Sequence, residues 1–381
     1  MLPTTTDVLV VGAGPAGLTV AVGLARRGRR VTVVDGRAEG DTTTRAAVVH
    51  ARTLEVLEPY GVAGPLVARG VRVPRFTIRD RDRVLVPVPF GGLPTAYPYT
   101  LMVSQEVTER VLLDRLTELG GEVLRPHTVT ALKQDDAGVT VTFASGDTLV
   151  AGYVVGADGM HSTVRDQAGI GFSGGAYDES FSLADVRLSG GVPENEVILY
   201  FSPDGVLVVA PLPGGVHRIV ATVAEAPKDP GPDFVQRLLD TRGPLARRAV
   251  VDEVLWGSRF RVQHRVADTY RAGRILLAGD AAHVHSPAGG QGMNAGIVDG
   301  AALAEVLDAV LGGGAPALLD AYEATRRPAA RQVVALADRL TRLATTRRAL
   351  RPIRDLVLRA LAALPPFRRA LAWRLSGLVY R

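Results

Sequence analysis

Apolar positions follow two different periods along the chain, and the points where the period changes mark its elements. Asp7–Val11 is a near-continuous apolar run, as in a strand buried on both faces. Gly12–Gly17 reads as a turn, and Leu18–Arg27 as a helix ending at Gly28. Arg30–Val34 predicts a second strand closed by Asp35, so the chain opens β-α-β. Between Arg72 and Tyr99 the texture becomes short, proline-rich, β-like runs such as Val84–Phe90. Ser104–Leu119 returns to helical spacing, with Val107, Val111, Leu112, Leu116 and Leu119 on one face. Gly138–Phe143 and Thr148–Val155 alternate as strands do. From about Ser173 to Arg265 the pattern is mainly β, including Val197–Phe201, Gly205–Pro211 and His217–Val223. Arg274–Leu277 predicts another buried strand and Gly292–Val310 a helix. The rest, after Ala317, is helical, punctuated by Pro328, Pro352 and Pro365–Pro366.

With 381 residues the chain exceeds what one core usually supports. The order of elements predicts a mixed α/β protein. A Rossmann-like dinucleotide-binding domain over 1–71, 100–172 and 266–340 is interrupted by a β-sheet substrate domain over 72–99 and 173–265. A helical C-terminal segment covers 341–381.

Charge changes that picture little. The net charge of +5 is unevenly placed: Arg342–Arg381 holds ten arginines and one acid, Asp355, or +9, which leaves the remainder at −4. No basic stripe with interleaved aromatics occurs elsewhere, so nucleic acid is not an expected partner. The chain has no cysteine, which excludes disulfides, thiolate metal sites and thiol nucleophiles, and a cytoplasmic location is expected. Val8–Ala25 is eighteen residues without a charge, but its glycines, its proline and the preceding Asp7 fit a strand and packed helix better than a spanning or signal segment.

Gly12-Ala13-Gly14-Pro15-Ala16-Gly17 follows a strand and opens a helix, the context a dinucleotide fingerprint requires. Gly12 allows the tight turn, Gly14 lets backbone approach a pyrophosphate, and Gly17 lets helix and strand pack closely. The helix start offers N–H groups and positive dipole to the phosphates. Asp35, followed by Gly36 and Arg37, stands where a carboxylate accepts from ribose hydroxyls. The fingerprint alone does not separate NAD from FAD. Two later segments bear on that choice: Val155-Gly-Ala-Asp158-Gly159-Met-His-Ser162-Thr-Val-Arg165, and the run from Arg274 through Gly279-Asp280, His283, His285, Pro287, Gly289, Gly290, Gly292, Met293 and Asn294.

These segments, together with the opening fingerprint, resemble the class A FAD-dependent aromatic hydroxylases, in the branch acting on aromatic polyketides and phenols. The resemblance spans nearly the whole chain. It implies tightly, non-covalently bound FAD, NAD(P)H as a transient co-substrate with NADPH favoured, and hydroxylation of an aromatic substrate with O2 through a flavin C4a-hydroperoxide. By the same resemblance Asp280 holds the ribityl chain, Asp158 lies between flavin and pyridine nucleotide, and Pro287 presents its carbonyl over the reactive ring carbon. Gly290, Gly292, Met293 and Asn294 face the flavin ring edge. Gln105 and Arg45 contact FAD, the Ala51–Leu57 stretch lies beside the pyrophosphate, and Val129 presents backbone to the adenine. Longer relatives in that branch continue into a thioredoxin-like domain where this chain reaches Leu375–Tyr380. A monomer or homodimer is expected, without a membrane partner.

Independently of the resemblance, Gly292–Asn294 opens a helix whose positive end can stabilise negative charge on a reduced flavin. His283 and His285 stand at i, i+2 without a third ligand, so no metal is expected. His50 reads either as a residue reaching flavin or substrate or as a satisfied histidine at a helix start. Tyr200 and Phe201 line a substrate pocket or fill a core. In the tail, Ile353, Leu356, Val357, Leu361 and Leu364 at helical spacing predict a face buried against the FAD-binding domain, with a membrane-surface helix as the alternative. Other flavoprotein classes fit less well. The halogenase Trp-x-Trp-x-Ile-Pro signature is missing, and disulfide reductases need cysteine. A prenyl-chain reductase and a non-catalytic flavoprotein remain as alternatives.

Overall fold

The computed structural model describes residues 2–39, 46–287, 289–344, 346 and 348–380. The chain begins with β1 (Thr5–Val11), α1 (Pro15–Ala25), β2 (Val31–Val34) and β3 (Val48–Val49). Helices α2 (Ala51–Leu57) and α3 (Ala63–Arg69) precede β4 (Val71–Val73), β5 (Arg75–Asp80), β6 (Arg83–Pro89) and β7 (Thr100–Met102). Next come α4 (Gln105–Glu118), β8 (Val123–Leu124), β9 (Val129–Gln134), β10 (Val139–Phe143), β11 (Thr148–Gly156) and α5 (Thr163–Gln167). The β-rich stretch holds β12 (Phe172–Gly190), β13 (Glu196–Ser202), β14 (Gly205–Leu212), β15 (Val216–Val223), α6 (Pro232–Arg242) and β16 (Ala249–Ala267). Strands β17 (Arg271–Ala272), β18 (Ile275–Leu277) and β19 (His283–Val284) lead to α7 (Gly292–Leu311). Helices α8 (Leu318–Ala344), α9 (Arg351–Ala363) and α10 (Pro365–Leu375) follow.

Two large sheets result. In the first, the path runs β17-β18-β11-β1-β2-β8, with the β9–β10 hairpin attached to β11. Strands β18, β11, β1, β2 and β8 are parallel, which is why β1 and the end of β11 are apolar without alternation. Helix α1 is apolar all round and is buried from Gly17 to Leu24. It packs against α4 and α7, where Gly300 stands over the Ala16 carbonyl and Gly23 over Ala304. The second sheet runs β19-β16-β12-β15-β14-β13-β5-β6. Its long strands β12 and β16 pair antiparallel along most of their length. A three-stranded sheet, β3-β7-β4, joins the segments on either side of β5 and β6.

Within the β-rich stretch α6 was not expected, although Val235, Leu238 and Leu239 at i, i+3, i+4 carry a helical signal and pack on the second sheet. The tail requires a larger correction. Helices α8, α9 and α10 cover the second sheet: Leu340, Ala344, Leu358, Ala362, Ala372 and Leu375 pack with Ile78, Leu85, Val88, Phe90, Leu199 and Phe201. Ile353, Leu356, Val357, Leu361 and Leu364, expected to be buried, point outward. The inward face of α9 is instead held by Arg354, whose guanidinium bonds Asp355 at 2.8 Å and the Leu343 carbonyl at 3.1 Å and lies 5.1 Å from the Phe201 ring centre. A paired arginine with an aromatic to stack on can take an inward position that periodicity assigns to leucine.

Candidate active site

Four motif loops leave the first sheet side by side. Val34, Val11, Gly156 and Leu277 form one row across β2, β1, β11 and β18. Beyond that row the chain continues into Asp35, into Gly12–Gly14, into Asp158 and into Gly279–Asp280. Neighbouring strands are about 4.8 Å apart, so these loops span about 14 Å along the carboxyl edge of a parallel sheet, where α/β folds bind extended nucleotides.

The first turn is shaped by its glycines. Gly12 adopts φ +105°, and a side chain there would collide with the Ala157 carbonyl. One at Gly17 would strike the Gly12 carbonyl. Gly14 differs: the space where its Cβ would project is open to 4 Å. It is also the N-cap of α1, with no side-chain cap, and the first intrahelical bond is Leu18 N–H to the Gly14 carbonyl. The Ala16 and Gly17 N–H groups thus belong to the unbonded first turn, beside an open space. Pro15 lacks an N–H and is pre-set for the first helical position. Asp35 accepts from Ala13 N–H at 2.8 Å and Arg37 N–H at 2.9 Å, and its carboxylate has further lone pairs for hydroxyl groups. His127 N–H bonds the Asp35 carbonyl at 2.8 Å, which brings Val129, buried at the start of β9, close to Gly36 through Thr128. An adenosine diphosphate moiety fits this chemistry.

The third loop is committed internally. Asp158 accepts from the Ser162 hydroxyl at 2.5 Å and from Val164 N–H at 3.1 Å, so it caps α5. Burial raises its carboxyl above the ordinary value, against those two bonds. Arg165, which sequence reasoning quoted without a role, reaches from α5 to the Ala281 carbonyl at 3.2 Å and so ties this loop to the turn carrying Asp280. Asp280 itself is solvent-exposed on that turn.

Residues 289–294 lead into α7, whose Gly296 lies against Gly279 and Ala16 of that row. Gln291 is the N-cap of α7 and Ala295 donates to its carbonyl at 2.8 Å, which leaves Gly292, Met293 and Asn294 as the N–H groups of the unbonded first turn. The Asn294 side chain is fully used. Its oxygen accepts from His50 N–H at 2.8 Å and the Thr53 hydroxyl at 2.7 Å, and its amide donates to the Val48 and Gly290 carbonyls. It pins the segment rather than reaching outward, and only its backbone is offered. His50 is buried at the N-cap of α2 with Nε2 donating to the Gly289 carbonyl at 2.9 Å, and burial lowers its imidazole to about 4. His50 is therefore neutral and supports the glycine loop. Pro287 accepts from Gly290 N–H at 2.9 Å, closing the turn.

Other expected residues are placed as follows. Gln105 is the first residue of α4; its N–H bonds the Ala46 carbonyl and its side chain bonds Glu109 at 2.8 Å. Arg45 lies outside the described residues. Tyr200 and Phe201, adjacent on β13, take opposite faces. Tyr200 is buried under α6, away from the glycine loop. Phe201 shares its cluster with Leu340 and Leu375, the two side chains nearest Gly289. His283 bonds Asp299 at 2.5 Å, and Arg326 bonds the other Asp299 oxygen at 2.7 Å, all buried. His285 bonds the Ser286 carbonyl at 2.8 Å.

Sequence reasoning missed this last triad, because its members come from β19, α7 and α8. It also missed the apolar cleft of about 510 Å³ between Pro89–Pro94 and α10, lined by Leu93, Arg368 and Trp373. Ala372 in its wall is one turn from Leu375, which faces Gly289.

A parallel-sheet edge carrying a glycine turn, an acidic residue at the next strand end and a helix start defines a dinucleotide-binding protein. The FAD binding domain family model matches residues 5–337, and the chain belongs to that family of flavin-dependent aromatic monooxygenases. The 6-methylpretetramide 4-monooxygenase of Streptomyces rimosus is 39% identical over 391 residues, covering 97% of this chain and 68% of its own. Pentachlorophenol 4-monooxygenase of Sphingobium chlorophenolicum is 35% identical, covering 86% and 63%. Among solved structures, OxyS anhydrotetracycline hydroxylase from Streptomyces rimosus superposes with a TM-score of 0.82 at 35% identity, over 98% of this chain and 76% of that one. The p-nitrophenol 4-monooxygenase PnpA from Pseudomonas putida DLL-E4 does so with 0.86 at 27% identity, over 99% of both. No described helix is long and apolar enough to cross a membrane.

Proposed function

We propose that the protein is an NAD(P)H-dependent, FAD-containing monooxygenase that hydroxylates an aromatic, polyketide-type substrate. The observation that carries the reading is the row of four motif loops with the start of α7 packed beside it. FAD, when bound, supplies hydride acceptance and the activation of O2. The chain supplies the rest. Gly14 and the first turn of α1 hold the pyrophosphate, Asp35 the ribose, the Val129 backbone the adenine, and Asp280 the ribityl chain. Gln105 and Arg45 add contacts to FAD. The Gly292–Asn294 N–H groups stabilise negative charge on the ring edge. His50 and Asn294 hold the Gly289–Gly290 loop, which would back the ring, and Pro287 would contribute its carbonyl at the reacting part of the ring. Substrate class is supported by the tetracycline-type and phenol-acting relatives, and the cleft beside Trp373 is of a size that admits a fused-ring phenol.

The dinucleotide edge accounts for one nucleotide, so the reading places NADPH transiently near Asp158 and the segment about Arg45, and the presence of substrate triggers reduction. The test is anaerobic stopped-flow mixing of the flavin-loaded protein with NADPH, with and without a fused-ring phenol that it hydroxylates. Reduction should accelerate by about tenfold or more, which is about 1.4 kcal/mol off the barrier. Equal rates would remove the substrate trigger, and heat-released FMN in place of FAD would remove the cofactor assignment.

A further inference from the structure

The outward face of α9 is the largest apolar feature left without a partner among the described residues. Leu350, Ile353, Leu356, Val357, Leu361 and Leu364 are between 37% and 66% exposed. From Ile353 on they recur at i, i+3, i+4, i+8 and i+11, so they form one stripe about 17 Å long. Ala360 and Ala363 on the same side are exposed as well. Solvent exposure of this kind on an ordered helix marks a contact surface.

We propose that this face seats the protein on an anionic lipid surface, with α9 lying in the plane of the headgroups. Two observations favour lipid over a second copy of the chain. The segment 342–381 carries +9, and Arg342, Arg359, Arg369 and Arg374 are exposed. A two-fold interface centred on α9 would bring those positive charges together, whereas an anionic surface attracts them. All six large side chains are aliphatic, whereas interface anchors are typically Trp, Tyr and Arg. The inward side of α9 is already fixed by Arg354, Asp355, Leu358 and Ala362, so docking needs no rearrangement. The cleft lined by Pro365, Arg368 and Trp373 begins where α9 ends, so a lipid-soluble aromatic would meet it at the same surface.

The experiment is co-sedimentation of the full-length, flavin-loaded protein with vesicles of phosphatidylcholine alone and with about 30% phosphatidylserine. The protein should pellet with the anionic vesicles and be released at about 1 M salt, where the screening length falls to ~3 Å. The double variant Leu356→Glu/Val357→Glu changes two exposed side chains; flavin content and melting temperature report that it is folded. Its pelleted fraction should fall about tenfold. Failure to pellet with either vesicle, equal pelleting on neutral vesicles, or pelleting unchanged by the double variant would each overturn the proposal. Light scattering on the lipid-free protein covers the rival occupant: a dimer that the double variant dissociates would assign the face to a second copy instead.

Discussion

The side-chain amide of Gln291 donates to the backbone carbonyl of Leu375 at 2.9 Å, so the C-terminal helix is bonded directly to the N-cap of the helix that opens beside the Gly289–Gly290 loop. Leu375 also packs against Gly289, and the neighbouring Ser376 carbonyl accepts from Arg52 N–H at 3.1 Å. The tail thereby forms part of the support of the Gly289–Gly290 loop, behind the proposed ring site.

Leu375→Ala should therefore act on both stability and cofactor retention. Truncating a buried leucine costs about 2–5 kcal/mol, which a urea titration reads as a lower midpoint at unchanged slope. If that support extends to the ring site, FAD should also dissociate faster on gel filtration. An unchanged off-rate would confine Leu375 to the core.

Gly12 and Gly14 should fail in different ways. Gly12→Ala forces a side chain onto a positive φ and into the Ala157 carbonyl, so the protein should be unstable with or without FAD. Gly14→Val fills open space, so the apoprotein should melt near the parent while the purified protein is colourless. A yellow Gly14→Val protein would show that the pyrophosphate lies elsewhere.

Asp299 joins His283 and Arg326 in a fully buried triad. Burial alone would raise its carboxyl; Arg326 and His283 outweigh that and hold it below the ordinary range. Asp299→Asn leaves the Arg326 guanidinium buried without its charge partner, and removing one partner of such a pair costs about 3–5 kcal/mol. Thermal unfolding checks this, and a shift within error of zero would mean that water reaches Arg326.

His50 and His285 give a pH signature. Burial lowers both imidazoles to about 4 in the folded protein, against about 6.5 when unfolded. The unfolded chain binds protons first as pH falls, so the stability they contribute is present above about 6.5 and is lost on descent toward 4. Each accounts for about 3 kcal/mol across that window. Urea unfolding between pH 7 and pH 4.5 should show the slope, and His50→Asn should reduce it.

Much of this site was legible along the chain because its requirements are local. A strand ending at Val11 followed by Gly12, Gly14 and Gly17 specifies a turn whose backbone only those residues allow, and Asp35 follows at the end of the next strand. For Tyr200 and Phe201 the strand pattern left pocket lining and core filling both open. It could not say which face would meet the glycine loop and which α6, since both are equally apolar. The same limit explains α9. Periodicity located its apolar stripe correctly, but burial depends on what the remaining chain leaves uncovered, and there Arg354 found Asp355, the Leu343 carbonyl and the Phe201 ring. The Gln291–Leu375 bond joins positions 84 residues apart, and the His283–Asp299–Arg326 triad draws on three elements. Sequence by itself determined the turns, because backbone conformation is set by neighbours; tertiary structure decided the partners, because a buried polar group is satisfied only by whatever packing brings within about 3 Å of it.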